Sequence, residues 1–146
     1  MPDSVPVTRR AVVGAAVVDS LVAPSRLLAA RRTEPPALAG GWEFAGGKVE
    51  EGEGLQDALR REVREELGVE VALGEQVHGP LAGGAWPLGE GWAMTVWFAE
   101  VTQGEPAPIE DHDQLRWLGV EELYAVPWLP ADLPIVDVIA PQLSRV

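Results

Sequence analysis

The stretch Gly46–Glu70, GGKVEEGEGLQDALRREVREELGVE, constrains this chain more than any other. Leu55, Ala58, Leu59, Val63 and Leu67 recur at helical spacing, and Gly68 follows as a stop, so the spacing predicts a helix over Leu55–Leu67. Glu62, Glu65 and Glu66 fall on that helix. Residues turn by about 100° each, which puts Glu66 about 40° to one side of Glu62 and Glu65 about 60° to the other. The three carboxylates therefore share one arc beside the apolar stripe, near the rim of the core. Like charges so close repel, and burial raises the cost of ionising them. Protonation, pairing with Arg61 and Arg64, or hard divalent cations would each relieve the repulsion. Cations explain the clustering best, because they turn repulsion into ligation. The competing reading is a solvated face, since Asp57–Arg61 and Arg61–Glu65 have ion-pair spacing.

The residues before the helix favour a site. Gly46–Gly47 reads as a tight turn with amides open to an anion, and Lys48 offers a point charge for a phosphate, although a solvent-facing lysine fits as well. Glu53 follows just ahead of the helix. Glycine turn, lysine and carboxylate helix together describe metal-dependent hydrolysis of a phosphate ester or anhydride.

The remaining chain reads as a single domain over residues 1–146, its first ten residues loose. Expected strands are Val12–Val18, Arg26–Arg32, Trp42–Phe44, Val69–Val77, Ala93–Val101 and Leu115–Leu118. Gly79–Gly91 reads as a loop carrying Trp86, Val120–Tyr124 as a helical turn, and Pro134–Leu143 as a second helix opened by proline. Strands flanked by two helices make an α/β layered fold. The apolar run AVVGAAVV is too short to span a membrane, and no signal-peptide pattern follows MPDSVPVTRR, so a cytoplasmic location is expected. Cysteine is absent, which excludes disulfides and thiol chemistry. With 23 acidic against 11 basic residues, the net charge of −12 disfavours a nucleic-acid polymer as partner. A local cation would still allow a phosphate ligand. His78 and His112 lack zinc-type spacing and read as surface or structural residues.

Gly47–Val69 resembles the Nudix box, G-x5-E-x7-R-E-U-x-E-E-x-G-U with U aliphatic. Gly47, Glu53, Arg61, Glu62, Val63, Glu65, Glu66, Gly68 and Val69 all fall in register. The resemblance implies an α/β/α sandwich with a mixed sheet between helices, and hydrolysis of a nucleoside diphosphate linked to another group. It implies Mg²⁺, with Mn²⁺ as a substitute, held by Glu62, Glu65, Glu66 and the Gly47 carbonyl. Glu53 resembles the glutamate that supports the site, and Arg61 the arginine that orients the box carboxylates. Glu110, in EPAPIE, resembles a further metal ligand or base, with a solvated acidic loop as the alternative and Asp111 and Asp113 as competitors. Two departures are Ala45, where the family usually has proline, and Gly54–Leu55 in place of a threonine-led helix start, which predicts a weaker cap.

LLAARRTEPPALAGGWEFAGGKVE, EDHDQLRW and WLPADLPIV are most similar to the MutT-type hydrolases and their CTP-hydrolysing relatives. That similarity implies conversion of a nucleoside triphosphate, 8-oxo-dGTP or a (d)CTP-type nucleotide, to monophosphate and pyrophosphate, by attack at the β-phosphorus. Arg32 and Lys48 are the phosphate-contact candidates. Asp132 matches the base-reading position; ionised, it accepts hydrogen bonds only, and its alternative role is a helix cap ahead of Pro134. Of six tryptophans, Trp86 and Trp128 are the candidate stacking walls. Trp42, Trp97 and Trp117 read as core, Trp92 as either, and Phe44 as core or pocket wall. Monomer and homodimer both stay open. So do dinucleoside polyphosphate or ADP-ribose as substrate, and a nucleotide-binding module without turnover.

Overall fold

The computed structural model describes residues 10–145. The loose start lies outside the described residues except for Arg10, which opens β1 (Arg10–Val17). There follow β2 (Arg26–Arg32), β3 (Trp42–Glu43), β4 (Ala45–Lys48), α1 (Leu55–Leu67), β5 (Glu70–Val77), β6 (Trp86–Gly89), β7 (Trp92–Gln103), β8 (His112–Gly119) and α2 (Leu133–Ile139). β1 runs parallel to β7 and antiparallel to β4. β5 and β6 share the other edge of β7. A second sheet has the order β3-β2-β8.

β1 is buried on both faces, so its residues are apolar on both. Val13, Ala15 and Val17 pack toward Ala58, Leu59, Val63 and Leu67 of α1. Ala16 faces the other way, into the cluster built with Val96, Phe98, Leu118 and Ile135, Val136 and Ile139 of α2. The result is the expected mixed sheet between helices. α1 keeps the bounds read from its periodicity. Gly68 ends it at φ 72°, its amide bonded to the Arg64 carbonyl at 3.0 Å, and Gly54 supplies no side-chain cap.

The structure corrects four local readings. Gly46–Gly47 is not a turn but part of β4, paired to Gly14 and Val13. A Cβ on Gly46 would run into the Val13 carbonyl oxygen and lie 2.8 Å from the Gly14 Cα, so the glycine serves close strand approach. The Gly79–Gly91 segment contains β6. The second helix is shorter than expected, because Pro141 has no amide for the i−4 bond and the chain tightens into a 3-10 turn at Ala140–Gln142. Trp117 is 39% exposed and belongs to neither core cluster.

Gly46→Ala is expected to lower unfolding stability by about 1–3 kcal/mol, the usual cost of forcing a methyl into a packed site. A urea titration should show a lower midpoint at unchanged slope.

Candidate active site

α1 presents its carboxylates where β4 crosses it. Glu66 is only 5% exposed, and its Oε1 accepts the Gly46 amide at 2.9 Å. Burial pushes its carboxyl up to about 7, against the Gly46 bond and the nearby His112; the Glu62 and Glu43 charges add to the rise. Burial also raises Glu62, opposed by Arg61 and reinforced by the charges of Glu65 and Glu110. Glu110 is exposed, yet it lies within electrostatic reach of the helix. Gly47 sits directly against α1: a Cβ there would meet the Glu62 carboxylate, which would have to move aside.

Arg61 ties the group together. Its guanidinium reaches Glu53 at 2.8 and 3.0 Å, Glu62 at 2.9 Å, Glu65 at 3.3 Å and the Lys48 carbonyl at 3.1 Å. The Arg61 bonds, with the Glu50 backbone, hold the Glu53 carboxyl down at about 2, and Glu53 in turn raises Arg61. Arg61 thus lies between the box carboxylates, with Glu53 as its anchor. Among the described residues no three acidic or histidine side chains are already gathered as a metal cage. The donor chemistry nevertheless fits a hard cation. Glu62, Glu65 and Glu66 are oxygen donors crowded on one helix face, and two of them are held by a single guanidinium.

A cavity of about 480 Å³ opens beside Gly46 and Gly47. Phe44, Leu88, Trp92, Met94 and Leu129 form its apolar walls, and Arg32, Glu43 and Asp132 its polar part. Asp132 is 5% exposed and stands at the N-cap position of α2, but its side chain makes no capping hydrogen bond. Burial, with the Glu43 charge and against that of Arg32, raises its carboxyl well above the usual range. Arg32 lines the cavity, with its Nη1 on Glu43 at 2.9 Å and its Nε on the Glu34 carbonyl at 2.6 Å. The Lys48 ammonium lies 5.0 Å from the Trp92 ring centroid, and the Arg10 guanidinium 5.4 Å from it.

The two tryptophans chosen from sequence do not line the cavity. Trp86 is buried, with its indole N–H on the Val77 carbonyl at 2.8 Å. Trp128 is buried too, donating to the Leu123 carbonyl at 2.7 Å, and its ring centroid stands 5.4 Å from that of Phe44. It backs the Phe44 wall from behind. Trp92 is the tryptophan on the cavity. Glu43 is the polar lining residue that sequence reasoning missed; its position beside Phe44 in WEF was the available signal. His112 is buried rather than at the surface, and its Nε2 lies 2.9 Å from Glu43 Oε2.

The carboxylate helix and the adjoining cavity meet at one end of the sheet, and sequence comparison gives the family. The NUDIX domain model matches residues 8–138, and the chain belongs to that family. It is 40% identical over 119 residues to a Mycobacterium tuberculosis H37Rv protein named "Putative 8-oxo-dGTP diphosphatase 2", covering 80% of each chain. It is 37% identical over 114 residues to the CTP pyrophosphohydrolase of Escherichia coli K12, covering 77% of this chain and 80% of that one. The solution structure of the Escherichia coli ORF135 protein superposes with a TM-score of 0.70 at 33% identity, over 90% of this chain and 89% of the other. The MutT NUDIX hydrolase of Burkholderia pseudomallei gives 0.68 at 31% identity, over 89% and 97%. Among the described residues no helix is long and apolar enough to cross a membrane.

The raised Asp132 carboxyl makes a stability prediction. Between its unfolded and its folded pKa the native state binds more protons than the unfolded one, so stability falls as pH rises through that window. Asp132→Asn removes the titration. Its melting temperature relative to wild type should therefore climb as pH rises above the ordinary aspartate range, and differential scanning fluorimetry across a pH series checks it.

Proposed function

We propose that the protein is a divalent-metal-dependent nucleoside triphosphate pyrophosphohydrolase acting on 8-oxo-dGTP or (d)CTP-type nucleotides. The observation that carries this reading is the junction at Gly46: one strand both seats the buried Glu66 of the carboxylate helix and borders the cavity. A substrate in the cavity thereby meets the helix carboxylates at its phosphate end. The names of the two curated relatives support a triphosphate substrate.

Glu62, Glu65, Glu66 and the Gly47 carbonyl would hold the cation, with Glu110 as a further carboxylate. Bound Mg²⁺ supplies charge neutralisation and a more acidic water, the two things phosphoanhydride hydrolysis needs at neutral pH. Arg61 keeps Glu62 and Glu65 oriented while itself anchored by Glu53. Lys48, beside Trp92 at the cavity wall, meets the phosphates. Phe44 and Trp92 provide apolar walls for a flat base. The buried Asp132 carboxyl faces the base edge, where its oxygens accept from the N4 amino group of cytosine or from the N1–H and N2 amino groups of guanine. Selection between bases then falls to the groups around Asp132.

A kcat/KM panel in Mg²⁺ with CTP, dCTP, 5-methyl-dCTP, dGTP, 8-oxo-dGTP and ADP-ribose tests the proposal. The expected outcome is monophosphate and pyrophosphate from the triphosphates, and a weaker reaction with ADP-ribose. Glu66→Gln should lower kcat by at least about 100-fold, beyond the loss typical of residues that only support metal ligands. Turnover independent of Mg²⁺ and Mn²⁺, or unchanged in Glu66→Gln, would overturn the mechanism.

A further inference from the structure

His112 is a buried polar residue that the reaction as described does not use. It opens β8 between two backbone irregularities. Asp111 before it has φ 60°, in the left-handed region. After it the β2–β8 register slips: Arg31 pairs with Gln114 and Arg32 with His112, leaving Asp113 as a bulge. Asp113 instead bonds the Arg31 guanidinium at 2.8 Å. Bulges of this kind re-aim a side chain. Here the imidazole is turned wholly inward, 0% exposed.

That placement is costly for a space-filling residue. Nδ1 is buried with no hydrogen-bond partner among the described residues. An apolar side chain would fill the same volume without an orphaned polar atom. What the imidazole provides is Nε2, 2.9 Å from Glu43 Oε2. The same oxygen accepts Arg32 Nη1 at 2.9 Å. Glu43 and Arg32 line the cavity with Asp132. The Glu43 carboxylate also stands near enough to Asp132 and Glu66 to raise both. With the His112 contact gone, Glu43 would keep Arg32 alone beside the Asp132 and Glu66 carboxyl groups.

We propose that His112 is a positioning residue for nucleobase selection: it fixes the Glu43 carboxylate, and Arg32 through it, so that the cavity presents one hydrogen-bond pattern to the base beside Asp132. The inference rests on the nucleotide-hydrolase reading above. It also adds to it, because it places base preference under the control of a residue that does not line the cavity.

His112→Leu removes the contact, whereas His112→Gln retains an N–H that reaches Glu43. Each variant is assayed for KM and kcat with CTP and 8-oxo-dGTP in Mg²⁺, for binding of CMP and 8-oxo-dGMP by calorimetry, and for melting temperature. His112→Leu should raise KM for the preferred nucleotide about tenfold, the scale of one lost hydrogen bond to a charged group. It should narrow the preference between the two bases and leave kcat near wild type, the pattern of lost uniform binding. His112→Gln should restore both KM and preference. A His112→Leu protein with a lowered melting temperature but unchanged KM and preference overturns the proposal. If His112→Leu does not fold, Glu43→Gln replaces it. It should shift KM and preference in the same way, and adding His112→Gln to it should change nothing more; unchanged preference in Glu43→Gln overturns the proposal. If the wild-type protein hydrolyses neither triphosphate, the functional reading fails. Monophosphate affinities of wild type and variants then decide the role of His112 on their own.

Discussion

One hydrogen bond, from the Gly46 amide to Glu66, joins the strand and the helix on which the site depends. It exists because β4 lies so close to β1 that only glycine fits at position 46. The next residue, Gly47, stands against the Glu62 carboxylate of α1. Together the two glycines bring α1 and the cavity to the same short segment of backbone.

The electrostatics follow from that closeness. A chain of net charge −12 has gathered acidic side chains at one helix face and around one cavity. It manages them with a few cations, each serving several partners. Arg61 holds Glu53, Glu62 and Glu65, and Arg32 shares Glu43 with His112. Where no cation is in contact, burial takes over: Glu66 is raised to about 7 and Asp132 is raised as well. The same kind of group is thus shifted in opposite directions: Arg61 holds the Glu53 carboxyl down, while burial raises that of Asp132.

Much of the helix and its chemistry was legible in the sequence. Apolar spacing placed α1 at its observed bounds, and the box residues identified Arg61 as the tie between carboxylates. Strands β2 and β5 were likewise readable from their apolar content and flanking turn residues. The glycine pair was recognised as special but assigned to a turn, because steric closeness of β4 to β1 leaves no mark in local sequence. Tryptophan was the harder case. Trp86 and Trp128 sit in loop-like, proline-flanked sequence that suggests a pocket, yet both direct their indole N–H to a backbone carbonyl in the core. Trp92 lines the cavity because β6 folds back against the start of β7, a pairing visible only once the strands are placed.

The sequence by itself determined the α1 register, the arc of carboxylates and the family, since each depends on neighbours within a few residues or on identities at fixed spacing. Tertiary structure decided the rest: that Glu43 meets His112 across 69 residues of chain, that Asp132 is buried, and which aromatic rings face the cavity. Periodicity is a local property of the backbone, whereas burial and contact depend on which distant segments pack together. A carboxyl group or an indole carries no sign of its surroundings until those segments close around it.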